Sequence, residues 1–346
     1  MKHFRLYHKK DVLAYTNIRR FVTRVGECVG VANGSGIHEA IAGSNAKYIL
    51  FGIPEDVGIR ANMGLGGADT AWKPFLSSFL NLQSNDFFSG DEVLVLGHFE
   101  FSEVRFLIEE KALDEEEKTN AFRHAVIMID EEVEELTSII TSYKKIPIVI
   151  GGGHNNAYPL IKGSAKGWHK AGELPLAQIN VINLDAHTDL RAAEGRHSGN
   201  AFTYASDDGY LLKYCIIGLH ESHLPQNVWI DIANNPFIDF ITYEDIFIHE
   251  KRNFIQAVAH AINFTDDQRT GVELDLDCVE RVLSSAATPS GISTLQARQY
   301  MSFTSAGCKP AYVHICEGAT ALDDGRTDDL TGKLIAYLVV DFIKGR

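Results

Sequence analysis

Short apolar runs alternate with stretches of helical period along most of this chain. Strand-like runs occupy 46–53, 92–97, 146–150, 179–184, 214–218, 237–242, 271–275 and 312–316. Between them, 121–143 carries Val126, Met128, Ile129, Val133, Leu136, Ile139 and Ile140 at helical spacing, and 254–263, 294–302 and 330–343 read the same way. This alternation predicts an α/β fold: a single-domain, three-layer αβα unit around a mainly parallel sheet of about eight strands. No Pro/Gly/Ser-rich linker divides it. The domain is expected over 46–346, with 1–45 as an N-terminal extension packed on or near the core. The charge-dense 109–118 reads as a solvated loop or a helix start. Gly64-Leu65-Gly66-Gly67, read as following a strand and preceding a helix-like 68–82, has neither GxGxxG spacing nor the Lys-Ser/Thr of a phosphate loop, so a glycine-rich lid is expected there.

Polar residues of one chemical type gather where three apolar runs end. Gly151-Gly152-Gly153-His154 follows the first, Asp185-Ala186-His187-Thr188-Asp189 the second, and Asp275-Leu276-Asp277 closes the third. Side chains alternate along extended backbone, so Asp185, His187 and Asp189 are expected to face one point, as are Asp275 and Asp277. Ligands of open parallel sheets collect beyond the carboxyl ends of the strands. Four carboxylates around two imidazoles are too much negative charge to bury together without cations. An oxygen-rich set with two imidazoles suits a pair of Mn²⁺-like ions better than a thiolate-bound zinc.

Composition narrows the partners. The 346 residues are 45% hydrophobic and 23% charged, and 46 acidic against 32 basic residues give a net charge of −14. That excess disfavours nucleic acid or an anionic membrane as the main partner, and an anionic substrate needs a local basic cluster. The five cysteines are scattered without metal-like spacing, which points to reduced thiols and a cytoplasmic setting. No apolar run approaches the roughly 20 residues of a membrane span, and Met1-Lys2-His3-Phe4 begins without the apolar stretch of a signal peptide.

Taken with Ser198-Gly199-Asn200 and the late Glu317, these clusters resemble the arginase, or ureohydrolase, family from about Ala46 to the C-terminus. The resemblance implies an arginase-like catalytic domain and two Mn²⁺ ions per chain. It also implies a bridging hydroxide that hydrolyses a guanidine or amidine C–N bond. Asp185 and Asp275 would bridge the ions, His154 and Asp189 would complete one shell, and His187 and Asp277 the other. Glu317 would hold the planar cation of a small-molecule substrate. Asp189 is the candidate to carry the proton to the leaving amine, with His197 second. Family members often form trimers or hexamers, so a homo-oligomer is expected.

Departures from the arginase pattern bear on the substrate. Gly153 stands where arginase has Asp, Glu273 where the family has Ser, Phe202 and His223 where arginase has His and Asp, and Arg191 where it has Asn. Glu273 is expected to partner a nearby Arg or His. Asp189-Leu190-Arg191 resembles the formimidoylglutamase branch, which cleaves N-formimidoyl-L-glutamate to L-glutamate and formamide. Arg191, with Arg196 near and helped by Ser198 and Asn200, is then expected to bind a substrate carboxylate. An ion pair with Glu194 is the plainer role for Arg191. Competing readings are an arginase, agmatinase or guanidino-acid hydrolase, and a catalytically silent metal-binding relative.

Overall fold

The computed structural model describes residues 1–34 and 36–345. Among the described residues, nine strands form one sheet: β1 Phe4–Leu6, β2 Tyr48–Gly52, β3 Val93–Phe99, β4 Ile146–Ile150, β5 Ile179–Leu184, β6 Leu211–Leu219, β7 Ile238–Thr242, β8 Thr270–Asp275 and β9 Pro310–Cys316. Their order is β1-β3-β2-β4-β9-β8-β5-β6-β7. β1 is antiparallel to β3, and the other pairings are parallel. All eight expected strands are present. The ninth, β1, is too short to show a period in sequence, and it brings Tyr7, Val12, Val25 and Val29 of the first 45 residues into the core.

β2, β3, β4, β5, β8 and β9 are buried at every position, as a parallel sheet covered on both faces requires. One group of packed helices contains Glu115–Ser142 and Ala157–Lys170; the other contains Trp72–Leu80, Phe254–Phe264, Thr294–Gly307 and Thr331–Lys344. The longest helix buries Phe122, Val126, Ile129, Val133, Leu136 and Ile140, an i, i+3, i+4 stripe. Met128 lies off that stripe and is half exposed. The Asp114 carboxylate caps this helix by accepting from Glu117 N at 2.8 Å, and Glu115 to Glu117 place negative charge on its first turn. The charged 109–118 stretch thus holds the end of the helix Ser102–Lys111 and this start.

Gly64–Gly67 follows the helix Val57–Ala61 rather than a strand. Gly67 N donates to Asp56 Oδ2 at 3.0 Å, an oxygen also held by Arg60 at 2.8 Å and Arg105 at 3.3 Å. Gly64 borders the cavity beside the strand ends.

Four neighbouring central strands position the site. β4, β9, β8 and β5 are adjacent, with Ile150 level with Ile315, Ile315 with Leu274, and Leu274 with Leu184. Their carboxyl ends therefore open at one height, and every candidate donor ends or follows one of them.

Candidate metal centre

After β4 the chain turns through Gly151 and Gly152, at φ 87° and 77°, before presenting His154. A Cβ on Gly152 would stand 2.8 Å from the Ile53 carbonyl oxygen, so only glycine fits this left-handed turn without strain. Buried Glu55 braces the turn from below. Its carboxylate accepts from Gly153 N at 3.2 Å, Asn155 Nδ2 at 3.2 Å, Asn156 Nδ2 at 2.6 Å and Val57 N at 2.7 Å. Burial pushes Glu55 up to about 7, and these amide donors pull it back towards the ionised form. Nothing in the local sequence singles it out, because the partners it braces, Gly153, Asn155 and Asn156, lie about a hundred positions away.

The second and third clusters share one device. Asp185 Oδ1 accepts from His187 N at 2.7 Å, and Asp275 Oδ1 accepts from Asp277 N at 2.8 Å. Each carboxylate closes a tight turn with one oxygen and leaves Oδ2 facing the centre. The expected alternation along extended backbone does not hold beyond the strands. β5 ends at Leu184, and Asp189 adopts φ 50°. The donors converge through turns, which aim His187 and Asp189 at different points.

Three carboxylates surround the first imidazole. His154 Nδ1 lies 2.9 Å from Asp189 Oδ2, 3.1 Å from Asp275 Oδ2 and 3.3 Å from Asp185 Oδ2. His187 Nδ1 lies 3.2 Å from Asp277 Oδ2 and 3.5 Å from Asp185 Oδ1. His154, Asp185, Asp189 and Asp275 thus form one candidate ion group, and Asp185, His187 and Asp277 a second. Asp185 is common to both. Asp275 lies in the first group through its Oδ2.

The donor set fits small divalent cations. Adjacent ligands of an octahedral ion with bonds of about 2.1 Å stand about 3 Å apart, close to the spacings here. Buried His154 Nδ1 and Asp277 Oδ1 have no hydrogen-bond partner, an arrangement that is costly unless an ion is the partner. Burial, with Asp277 and Asp185 beside it, pushes the Asp275 carboxyl well above the usual range. Burial and Asp185 raise Asp189, and burial raises Asp277 to about 6 despite His187. Positive charge at the two groups relieves each of these penalties.

A cavity of about 290 Å³ opens beside the centre, lined by Asp189, Asp277, Glu317, Arg191, Ser198 and His223 among others. Glu317, at φ 60° after β9, accepts from His154 N at 2.9 Å and Ser285 Oγ at 3.2 Å. Burial and Asp275 raise its carboxyl well above the ordinary value. Arg191 is 48% exposed; its Nη1 donates to Asn62 Oδ1 at 2.6 Å and its Nη2 to Glu194 Oε1 at 3.2 Å. The guanidinium borders the cavity and is paired to Glu194.

Two expected substrate contacts are corrected. Asn200 is fully buried and its amide is used internally. It accepts from Arg196 Nη1 at 2.9 Å and donates to Gly195 O at 2.7 Å. Arg196 is buried too, paired with Asp130 at 2.8 Å, donating to Asn155 O at 2.8 Å, and lying over the rings of Tyr158 and Tyr204. Both hold the 190–200 loop against the helices. His197 Nδ1 accepts from Gly199 N at 3.1 Å, which commits it to the same loop; burial, with Arg191 beside it, lowers it to about 4. Phe202 packs edge-on against His154, ring centroids 5.2 Å apart. His223 stacks on His187 at 4.7 Å.

Side chains gathered beyond the central strands of a parallel sheet, with a cavity beside them, define an α/β protein with a candidate two-ion centre at its carboxyl edge. The Arginase family model matches residues 49–341, and the chain belongs to the arginase family. Among its relatives, a formimidoylglutamase of Macrococcus caseolyticus is 27% identical over 61% of this chain and 65% of its own length. A formimidoylglutamase of Streptococcus pyogenes is 31% identical over 44% of each chain. Both matches span less than two thirds of the relative. The fold is similar to that of the Bacillus subtilis formimidoylglutamase, with TM-score 0.70 and 17% identity over 95% of this chain and 94% of that one. It is equally similar to the Trypanosoma cruzi formiminoglutamase crystallised with Mn²⁺, with TM-score 0.70 and 17% identity over 94% of this chain and 98% of that one. No helix among the described residues is long and apolar enough to cross a membrane.

Proposed function

We propose that this protein hydrolyses a C–N bond of a linear amidine, converting N-formimidoyl-L-glutamate and water to L-glutamate and formamide with two Mn²⁺ ions. The observation that carries this reading is one cavity of about 290 Å³ bordered by a six-donor centre, the carboxylate of Glu317 and the guanidinium of Arg191. A substrate with an amidine cation at one end and carboxylates at the other matches that polarity. The names of the relatives and the Mn²⁺ of the Trypanosoma cruzi protein support the same choice. Cysteines scattered without metal-like spacing suit a reducing, cytoplasmic setting.

His154, Asp185, Asp189 and Asp275 would hold one ion, and Asp185, His187 and Asp277 the other. Bound there, the ions make a water acidic enough to act as nucleophile at neutral pH. Glu317, fixed by His154 N and Ser285 Oγ, pairs with the amidinium and sets its carbon beside the centre. Asp189 takes a proton from the attacking water and passes it to the glutamate nitrogen as the C–N bond breaks. The amine leaves as glutamate, and the amidine carbon leaves as formamide. Arg191 binds a substrate carboxylate with donors its two present bonds leave free, and Ser198 adds a hydroxyl on the same wall.

The test is an assay of the manganese-loaded protein on formimidoylglutamate, arginine, agmatine and guanidinobutyrate, measuring formamide, urea and ammonia separately. Formamide from formimidoylglutamate at the highest kcat/KM is expected. Faster turnover of agmatine would reject a pocket built for a dicarboxylate.

A further inference from the structure

Glu273 occupies the place where the family pattern has serine, and it does not border the cavity. It is fully buried on β8, two positions before Asp275 and therefore on the same side of the strand. Its Oε1 accepts from the Tyr312 hydroxyl at 2.6 Å, and its Oε2 meets His314 Nδ1 at 2.7 Å, both from neighbouring β9. The same Oε2 lies 3.5 Å from Nε2 of His154, an ion-pair distance to a buried nitrogen that has no hydrogen-bond partner among the described residues. That ring shows its other nitrogen, Nδ1, to Asp185, Asp189 and Asp275.

A neutral imidazole carries one N–H, and an ion can take only the bare nitrogen. If His154 ligates through Nδ1, its proton must sit on Nε2, inside the core and away from water. A buried N–H without an acceptor is costly; among the described residues, Glu273 Oε2 is the charged group Nε2 faces. Phe202, edge-on at 5.2 Å, restrains the ring plane. We propose that Glu273 is a positioning residue for His154: it accepts the Nε2 proton, selects the tautomer whose Nδ1 is free, and aims that nitrogen at the first ion group. Tyr312 and His314 fix Glu273 in turn, so the orientation of a ligand on β4 is set from β8 and β9. The inference rests on the two-ion reading above and adds a residue that touches neither substrate nor ion.

The experiment titrates the metal-free, full-length protein with Mn²⁺ by calorimetry and electron paramagnetic resonance, for the unchanged chain, Glu273→Gln and Tyr312→Phe. Circular dichroism reports whether each variant is folded. Loss of a carboxylate that orients a ligating imidazole typically lowers metal affinity about 10–100-fold. Glu273→Gln is expected to weaken one ion by that factor and leave the other unchanged, so that the resonance signal of isolated ions replaces that of a coupled pair at low metal. Tyr312→Phe, which frees Glu273 from one restraint and keeps its charge, is expected to weaken the same ion less, and it decides the matter if Glu273→Gln does not fold. Unchanged affinities in a folded variant, or equal weakening of both ions, overturn the proposal while the two-ion reading stands. Glu273, His314 and Cys316 also gather around His154 closely enough to hold an ion, so a third Mn²⁺ in the unchanged chain, lost on substitution, overturns the proposal by making them ligands themselves. An unchanged chain that binds no Mn²⁺ overturns the two-ion reading, and this inference with it.

Discussion

Asp189 meets the first ion group and the cavity at once, because its left-handed backbone turns it back towards His154 after the strand has ended. A positioned general acid or base contributes roughly 10²–10⁴-fold. Asp189→Asn should therefore lower kcat at least about 100-fold, read beside metal content by elemental analysis; near-normal turnover with both ions bound removes Asp189 from proton transfer. For Arg191, charged hydrogen bonds are worth about 1.5–3 kcal/mol, so Arg191→Ala should lower kcat/KM on formimidoylglutamate roughly 10–150-fold. A small amidine with a neutral tail should lose far less, and equal losses would return Arg191 to its plainer role as partner of Glu194. At this scale the six donors were legible because residue type and strand end coincide. Arg196 was misread because the partners that claim it, Asp130 and Asn155, come from elements distant in sequence, and Asn200 because Arg196 and its own loop use its amide.

Turns and clamps, more than strands, make the site, and they were the hardest elements to read. Strand limits followed from apolar runs, but the alternation expected through Asp185–Asp189 gave way to a turn closed by the aspartate's own oxygen. The edge strand β1 stayed hidden because three residues carry no detectable period. Gly152→Ala tests the first turn. The left-handed φ of 77° and the nearby Ile53 oxygen should cost about 1–3 kcal/mol, measured as a lowered denaturant midpoint; an unchanged midpoint would mean the turn tolerates a Cβ. Asp130→Ala tests the clamp between the longest helix and the 190–200 loop. It leaves the Arg196 guanidinium buried without its carboxylate, which should cost about 3–5 kcal/mol.

For the molecule as a whole, the site's charge couples metal binding to pH. Asp277 is held up to about 6 by burial, above its ordinary 3.8, so below that pH the folded protein keeps a proton that an ion must displace. Binding then releases the proton, and affinity is lost as pH falls through about 6, by about tenfold per pH unit for each proton displaced. Calorimetry in buffers from pH 5 to pH 7.5 should show that decline; a flat profile would mean that Asp277 is already ionised or is not a ligand. The net charge of −14 sets a general field that favours cations, and on the proposed function Arg191 would supply the local exception for an anionic substrate. The αβα class and the parallel sheet were legible because alternating runs leave few topologies. That β4, β9, β8 and β5 lie side by side was not, since strand order is settled by crossovers rather than by local sequence. It is this adjacency that gathers donors from residue 154 to residue 277 at two points. Elemental analysis of the Mn²⁺-loaded protein after exhaustive dialysis at neutral pH tests that most directly. The account predicts two ions per chain, falling by at least one in Asp185→Ala, the residue common to both groups; one ion or none in the unchanged chain would contradict it.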